Sequence, residues 1–174
     1  MEVKSVALYL RLSREDEAAR GQLKDESNSI HSQRLLLRQY VKEHQELASL
    51  LLREFVDDGY TGANFDRPGF QQMMDGVRNG KIDTIIVKDL SRFGRNYLEV
   101  GDYLEHIFPF LGVRFIAVND HFDSQEYVGK TTGMEVAFRN LVYQRYSQDL
   151  SEKVKSAMHL KMSKGKYVTS CPYG

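Results

Sequence analysis

Apolar runs alternate with amphipathic stretches along most of the chain. Residues 3–10 and 50–56 are short apolar runs, which is typical of buried strands. Between them, residues 29–44 carry apolar side chains at helical spacing, and Asp57-Asp58-Gly59 supplies a turn after the second run. The pattern therefore predicts a strand, a helix and a strand that form one crossover unit.

The same order continues after this turn. A helix is predicted from Pro68, because proline is favoured in the first turn of a helix, to Asn79, where Gly80 ends it. Strands are predicted at residues 84–87 and 114–118, on either side of a helix at residues 97–111. Strands joined by helical crossovers lie parallel, so we predict an α/β fold with a mainly parallel sheet covered by helices.

The last predicted element is a long helix. Residues 133–163 carry apolar side chains near helical spacing, and no proline or further glycine interrupts them after Gly133. At 1.5 Å per residue, thirty residues extend roughly 45 Å, more than a small domain needs to cover its own core. Part of this helix must project, either as a linker or two-helix hairpin or as a helix that binds a partner.

Length and composition indicate a globular protein. The chain has 174 residues, of which 41% are hydrophobic and 28% charged. No apolar stretch approaches the roughly 18 residues of a membrane-spanning helix, and the amino terminus does not resemble a signal peptide, so we expect a cytoplasmic protein without a membrane partner. The lone Cys171 excludes an internal disulfide and a cysteine zinc cluster within this span.

Charge is unevenly distributed although the net charge is zero. Residues 139–174 contain seven Lys or Arg and two Asp or Glu, a net charge of +5, so the remaining residues carry −5. A charged run is often only a solvated helix face, but a basic segment beyond the core also suits contact with phosphates. The candidate phosphate ligands in this segment are Lys153, Lys155, Lys161 and Lys164.

Candidate chemistry lies at the end of the first predicted strand. Residues two apart in a strand share a face, so Arg11 and Ser13 should project together, about 6.6 Å apart along the backbone. Another basic segment follows the strand at residues 84–87, and if it is helical, Arg92 and Arg95 lie on one face. A hydroxyl and several guanidinium groups suit phosphodiester chemistry, and no group of residues suggests a metal site.

Five motifs follow one another along the chain: Tyr9-Leu10-Arg11-Leu12-Ser13, Ser29-Ile30-His31-Ser32-Gln33, residues 55–62 with Asp66-Arg67-Pro68-Gly69, Lys81-Ile82-Asp83 and Ser91-Arg92-Phe93-Gly94-Arg95. In this order they resemble the catalytic domain of serine recombinases, the resolvase and invertase superfamily, from about residue 5 to about residue 160. The insertion at residues 14–28 and the final Pro172-Tyr173-Gly174 are most similar to large serine recombinases of the transposon-excision type.

The resemblance implies roles for several residues. Ser13 is the nucleophile, and Arg11, Arg92 and Arg95 bind the phosphate that it attacks. Arg67 is implied to be a further active-site arginine, against the alternative of an ion pair with Asp66 at the helix start.

Other roles implied by the resemblance have structural alternatives. Gln33 matches an active-site glutamine, although a helical glutamine usually faces solvent. Asp57 is implied to orient an arginine, but it also suits a turn at a strand end. Lys88 and Asn96 flank the arginine motif and are candidates for phosphate contact.

One position departs from the family pattern. Many small resolvases have aspartate immediately before the first arginine of the motif, where this chain has Ser91. A proton-handling role for that acid cannot be transferred, and Asp89 or Asp57 would have to replace it.

The implied activity is site-specific recombination of double-stranded DNA through a 5′-phosphoserine intermediate, for excision or insertion of a mobile element, with no cofactor and no metal. The implied assembly is a homodimer that forms a tetramer in the active synapse. The implied domains are a catalytic core at residues 1–132, an oligomerisation and DNA-contacting helix at residues 133–165, and a linker at residues 166–174 that leads to a DNA-binding domain.

Two other functions are compatible with parts of the pattern. A regulatory DNA-binding protein could keep this fold without cleaving DNA. A flavodoxin-like or receiver-type phosphate-binding module is the other, but the first strand ends in Arg and Ser rather than in paired acids, and a glycine-rich phosphate loop is absent from the sequence. The target DNA sequence cannot be read from the chain.

Overall fold

The first strand, β1 (Ser5–Leu12), is buried along its whole length and pairs with a parallel strand on each side. The computed structural model describes residues 4–12, 30–62, 64–127 and 133–165. It divides the chain into two compact units, one reaching Met134 and the other beginning at Glu135.

The helices and strands follow the predicted order. In chain order after β1 they are α1 (Ile30–Glu43), α2 (Gln45–Ala48), β2 (Leu51–Asp58), α3 (Pro68–Arg78), β3 (Ile82–Val87), α4 (Leu90–Phe93), α5 (Tyr97–Asp102), a π-helical turn (Tyr103–Ile107), α6 (Phe108–Leu111), β4 (Arg114–Ala117), β5 (Phe122–Asp123), a 3₁₀ turn (Ser124–Tyr127) and α7 (Gly133–Ser163).

The sheet has the strand order β2-β1-β3-β4-β5. All neighbouring strands are parallel except β4 and β5, which are antiparallel. The predicted α/β fold with a mainly parallel sheet is therefore confirmed. The chain first builds outward from β1 to β2 and then crosses back to β3 on the other side of β1. In such sheets the crevice at the carboxyl ends of the two central strands is where ligands bind.

Alternation along the strands creates two different cores. Even-numbered residues of β1 contact the buried Leu37 and Val41 of α1 in an aliphatic cluster. The opposite face is aromatic: Phe93 packs at 4.9 Å from Phe115 of β4, measured between ring centroids. These two layers of side chains hold the helices on both faces of the sheet.

The helix predicted at residues 97–111 contains an irregular turn. The amide of Phe108 donates to the carbonyl of Tyr103, five residues earlier, which defines a π-helical turn. Pro109 follows directly, and proline has no N–H with which to continue the regular helical ladder. The helix was predicted correctly, but the wide turn was not.

The second unit contains the long helix α7 from Glu135 onward, and the bounds of this helix match the prediction. Its 31 residues correspond to roughly 46 Å. Residues 154–165 are exposed, including Lys155, Lys161 and Lys164. The side chain of Lys153 is not among those that the structure describes. Gly165 has φ 68, the left-handed conformation that ends many helices. Within the described ranges, no helix is both long and apolar enough to cross a membrane.

The aliphatic core predicts the effect of a matched pair of substitutions in α1. Leu37 is fully buried, while Leu35 is 56% exposed. We expect Leu37→Ala to lower the free energy of unfolding by about 2–5 kcal/mol, because it leaves a cavity against the sheet. Leu35→Ala should change it by less than about 0.5 kcal/mol. Urea denaturation followed by tyrosine fluorescence measures both, and equal losses would contradict this description of the core.

Candidate active site

The predicted site residues gather at the carboxyl ends of the parallel strands. Arg11 lies near the end of β1, Asp57 near the end of β2, and Lys88 directly after β3. Because these strands are parallel neighbours, their ends meet at one edge of the sheet. The crevice described above therefore lies at this edge of the sheet.

Arg11 is fully buried, and its side chain binds backbone carbonyls. Its Nε donates to the Arg92 carbonyl at 3.1 Å, its Nη1 to the Tyr60 carbonyl at 3.0 Å, and its Nη2 to the Ser91 carbonyl at 2.7 Å. One guanidinium thus joins the end of β1, the loop after β2 and helix α4. Arg11 therefore holds the loop that carries the other arginines, in addition to contributing charge.

Gln33 of α1 fixes the backbone at the end of β1. Its Oε1 accepts from the Arg11 amide at 3.3 Å, and its Nε2 donates to the Arg11 carbonyl at 3.1 Å. The side-chain amide therefore pairs with Arg11 as a neighbouring strand would. Gln33 is fully buried, unlike a typical helical glutamine, and it orients the strand that leads into Ser13.

The four arginines of the predicted site lie within electrostatic range of one another. Burial, followed by the positive charges of Arg67, Arg95 and Arg92, lowers the pKa of Arg11 to about 10. Arg11 remains charged at neutral pH. The site therefore concentrates positive charge where the sequence predicted it.

Arg67, the residue before α3, is enclosed by aromatic rings. Its guanidinium carbon lies 4.8 Å from the ring centroid of Phe65, 5.3 Å from that of Phe70 and 5.5 Å from that of Tyr9. Its Nη2 donates to the Phe93 carbonyl at 2.7 Å, whereas Nε and Nη1 have no hydrogen-bond partner in the part of the chain that the structure describes. Burial lowers its pKa, and the ring faces offset part of the cost of burying the cation.

Arg92 and Arg95 do not share a helix face, which corrects the prediction. Helix α4 ends at Phe93, and Gly94 is extended, with φ −163 and ψ 154. A Cβ on Gly94 would lie 2.7 Å from Val100 Cγ2, so close packing requires glycine here. Arg92 is consequently buried in α4, while Arg95 is exposed in the next segment, where its amide donates to the Gly62 carbonyl at 2.8 Å.

Asp57 caps helix α3. Its Oδ1 accepts from the Gly69 amide at 2.8 Å, and its Oδ2 accepts from the Phe70 amide at 2.9 Å and from the Tyr9 hydroxyl at 2.7 Å. A Cβ on Gly69 would lie 2.9 Å from Asp57 Oδ1, so this approach also depends on glycine. The contacts favour the structural alternative for Asp57, at a helix start rather than in the predicted turn.

Asp89 has a similar position at the start of α4. Its Oδ1 accepts from the Arg92 amide at 3.1 Å and from the Ser91 hydroxyl. Lys88 is buried, and its carbonyl accepts from the Asn119 amide at 2.8 Å. Both carboxylates considered as replacements for the missing acid therefore bind backbone amides.

Asn96 caps α5 with both ends of its side chain. Its Oδ1 accepts from the Leu98 amide at 3.2 Å, and its Nδ2 donates to Glu99 Oε1 at 2.8 Å. These bonds give Asn96 a structural role at the helix start, and its predicted phosphate contact stays a prediction.

Two residues that support the site were not assigned a role from the sequence. The Tyr9 hydroxyl binds Asp57, and burial raises the pKa of Tyr9. Asp120 Oδ2 accepts from the Leu90 amide at 2.6 Å. Asp120 follows the predicted strand at residues 114–118, so its place at the same sheet edge was the signal that could have identified it.

Ser13 lies outside the described residues, as do residues 14–29. It directly follows Leu12, the last residue of β1, in the sequence. The other described arginines of the site lie within electrostatic range of Arg11, close to the end of the strand that precedes Ser13 in the sequence. In the described ranges, no group of three or more His, Cys, Asp or Glu side chains could hold a metal ion.

Comparisons with known proteins agree with this architecture. The sequence profile of the family described as "Resolvase, N terminal domain" matches residues 6–167. The N-terminal catalytic domain of TP901-1 integrase is similar in structure, with a TM-score of 0.60 and 23% sequence identity, over 84% of this chain and 98% of that one. A resolvase family site-specific recombinase from Streptococcus pneumoniae has a TM-score of 0.56 and 23% identity, over 92% and 99% of the two chains. No curated protein matches the chain.

The three bonds to Asp57 predict a large loss of stability when its carboxylate is removed. Asp57→Ala leaves two buried amides and the Tyr9 hydroxyl without their acceptor, so we expect the free energy of unfolding to fall by about 2–4 kcal/mol. The neighbouring Asp58 is exposed, and Asp58→Ala should cost less than about 0.5 kcal/mol. Urea denaturation of both variants is the measurement, and a small loss for Asp57→Ala would refute the capping role.

Proposed function

We propose that this chain, which belongs to the resolvase N-terminal domain family of serine recombinases, cleaves and rejoins DNA with Ser13 as its nucleophile. The observation that carries the proposal is the convergence of Arg11, Arg67, Arg92 and Arg95 at the end of β1. Ser13 follows this end directly in the sequence. Concentrated positive charge beside a hydroxyl suits attack on a phosphodiester.

The reaction is a transesterification. Ser13 Oγ attacks the phosphorus, an Oγ–P bond forms, and the bond from phosphorus to the 3′ oxygen breaks. The serine proton is released as the attack proceeds, and a proton is taken up by the departing 3′ oxygen, so a phosphoserine at the 5′ end and a free 3′ hydroxyl result. Attack by the 3′ hydroxyl of another strand reverses the step and rejoins DNA. The phosphoester bond is conserved, so the reaction needs no nucleotide hydrolysis and no cofactor.

The arginines divide into two kinds by their contacts. Arg11 and Arg67 are buried and donate to carbonyls in or beside α4, so they hold the site while adding positive charge. Arg95 is exposed at the same edge and is the best placed of the four to reach a phosphate from solvent. The total charge stabilises the additional negative charge of the pentacoordinate phosphorus.

Proton transfer from Ser13 does not rely on the two candidate acids. The oxygens of Asp57 and Asp89 accept hydrogen bonds from backbone amides at helix starts, so both carboxylates are engaged in holding α3 and α4. We propose that the arginine cluster stabilises the negative charge that develops as the Ser13 hydroxyl attacks the phosphorus.

The basic end of the chain supports DNA contact. Lys155 and Lys161 of α7 and Lys164, which directly follows it, are exposed in the segment with a net charge of +5. We propose that they bind DNA phosphates together with Lys153, and that Lys88 and Asn96 contact the backbone near the cut. Since both strands of two duplexes must be cut, four Ser13 residues are required, which fits dimers that join as a tetramer to excise or insert a mobile element.

The nucleophile assignment predicts a covalent adduct at one residue. The full chain is incubated with a library of DNA fragments and quenched in detergent, and protein-linked DNA and the modified peptide are then recovered and identified. We expect DNA on Ser13. Ser13→Ala should form no adduct and still bind DNA, because the hydroxyl supplies the attacking atom and not the phosphate contacts.

Ser49→Ala is the control for this experiment, since Ser49 is exposed in the turn after α2. It should form adducts as the unsubstituted chain does. Adducts on another residue would overturn the assignment of Ser13. DNA binding without any adduct would favour the regulatory DNA-binding alternative.

The exposed arginine predicts a loss of rate without a loss of stability. Arg95→Ala should slow adduct formation by about 100- to 1,000-fold, because it removes a group that stabilises the transition state. Its midpoint of thermal unfolding should stay close to that of the unsubstituted chain, as expected for an exposed side chain.

A quenched time course on a recovered DNA fragment measures these rates. Arg78→Ala is the matched control, because Arg78 is an exposed arginine of α3 that pairs with Asp75. Equal rates for the Arg95 and Arg78 variants would exclude a role for Arg95 in the reaction.

A further inference from the structure

The turn between β4 and β5 has an unusual backbone conformation. Residues 118–121 connect these antiparallel strands, and the His121 amide donates to the Val118 carbonyl at 3.2 Å. His121 has φ 50, the one positive φ at a non-glycine residue in the described part of the chain. Such conformations cost on the order of 1–3 kcal/mol and persist where the surrounding contacts impose them.

Those contacts join the turn to the segment between β3 and α4. The Val118 amide donates to the Val87 carbonyl at 3.1 Å, and the Asn119 amide donates to the Lys88 carbonyl at 2.8 Å. The next residue, Asp120, then uses its side chain, whose Oδ2 accepts from the Leu90 amide at 2.6 Å. Three consecutive residues of the turn therefore bind the chain that enters α4.

Helix α4 needs such partners because it is short. Its four residues leave every amide of the helix start without a regular intrahelical acceptor. Asp89 accepts from the Arg92 amide, and Asp120 accepts from the Leu90 amide. Arg11 holds the other end of the same helix through the carbonyls of Ser91 and Arg92, so α4 is fixed from both sides.

We infer that Asp120 is a positioning residue for the DNA cleavage reaction: it holds the start of α4 so that Arg92 and Arg95 stay in place beside the phosphate. This inference rests on the proposed function. Without Asp120, the first turn of α4 loses its anchor, and the arginines that follow can shift relative to Ser13. A displacement of about 1 Å at a reacting centre can cost about 100-fold in rate.

The same hairpin contains a matched control. Asp123 of β5 pairs with Arg114 of β4, with 2.6 Å between Asp123 Oδ2 and Arg114 Nη2. Asp123 also accepts from the Gln125 amide, so these bonds stay within the hairpin and the turn that follows it. Asp123→Ala therefore removes a carboxylate and a half-buried ion pair from this hairpin without removing a described bond to α4.

The test uses the full chain and the DNA fragment recovered as a Ser13 adduct. We expect Asp120→Ala to lower the rate of adduct formation at saturating DNA by about 100-fold, with unchanged affinity for the fragment. Asp120→Asn should stay within about fivefold of the unsubstituted rate, because the asparagine oxygen still accepts from the Leu90 amide. Asp123→Ala should also stay within about fivefold, because the ion pair it removes acts only on stability.

A second measurement needs no DNA. Hydrogen exchange at the Leu90 amide should accelerate at least about tenfold in Asp120→Ala relative to Asp123→Ala, because a bond to a charged acceptor is lost. Should Asp120→Ala fail to fold, Asp120→Glu replaces it: this variant keeps the charge, moves the acceptor by one methylene and should also slow the reaction at saturating DNA.

The outcomes separate the two proposals. Absence of adducts with the unsubstituted chain would contradict the proposed function, and with it the inference. Adducts formed at the normal rate by the Asp120→Ala or Asp120→Glu variant would contradict the positioning role alone. So would an equal loss of rate in Asp123→Ala, since that would show a general effect of destabilising the hairpin.

Discussion

Three hydrogen bonds from the buried Arg11 guanidinium to backbone carbonyls hold the site together. Each bond to a charged group contributes about 1.5–3 kcal/mol, and the three reach different parts of the chain. Carbonyl dipoles satisfy the donors without cancelling the charge. The cation that joins β1, the loop after β2 and α4 therefore still attracts an anion.

The carboxylates near Arg11 bind backbone amides. Asp57 and Asp89 bind amides at the starts of α3 and α4, so both carboxylates stabilise helices. The guanidinium groups of Arg11 and Arg67 bind carbonyls and ring faces. This arrangement keeps an excess of positive charge at the sheet edge, where burial and then the neighbouring arginines lower the pKa of Arg11. The packing of the two cores offsets the unfavourable free energy of this repulsion.

The sequence predicted the parallel sheet, the long final helix and the edge at which the site lies, because these depend on periodicity and on topological rules. It could not predict where α4 ends. The close approach of Val100 and Phe65 to Gly94 decides that point, and such contacts between distant residues leave no local pattern. Strand β5, with two residues, is likewise too short to produce a pattern.

The roles of individual side chains were harder to predict than their location. In the sequence, Asp57 follows the strand predicted at residues 50–56 and lies two residues before Gly59, which suggests a turn, but its three donors come from residues 9, 69 and 70. Gln33 and Asp120 similarly bind backbone atoms that are distant in sequence. The family resemblance named most of these residues, and the structure gives several of them a supporting position beside the arginines.

The π-helical turn at Tyr103–Ile107 constrains how many residues its helical segment can contain. Val100, Leu104 and Phe108 are buried at intervals of four residues, whereas a regular helix repeats every 3.6 and would rotate such residues progressively away from the sheet. The π-helical turn absorbs this mismatch and returns Phe108 to the aromatic layer. Deletion or insertion of a single residue here would turn Phe108 away from the aromatic layer. Related sequences should therefore differ in the residue types of this stretch far more readily than in its length.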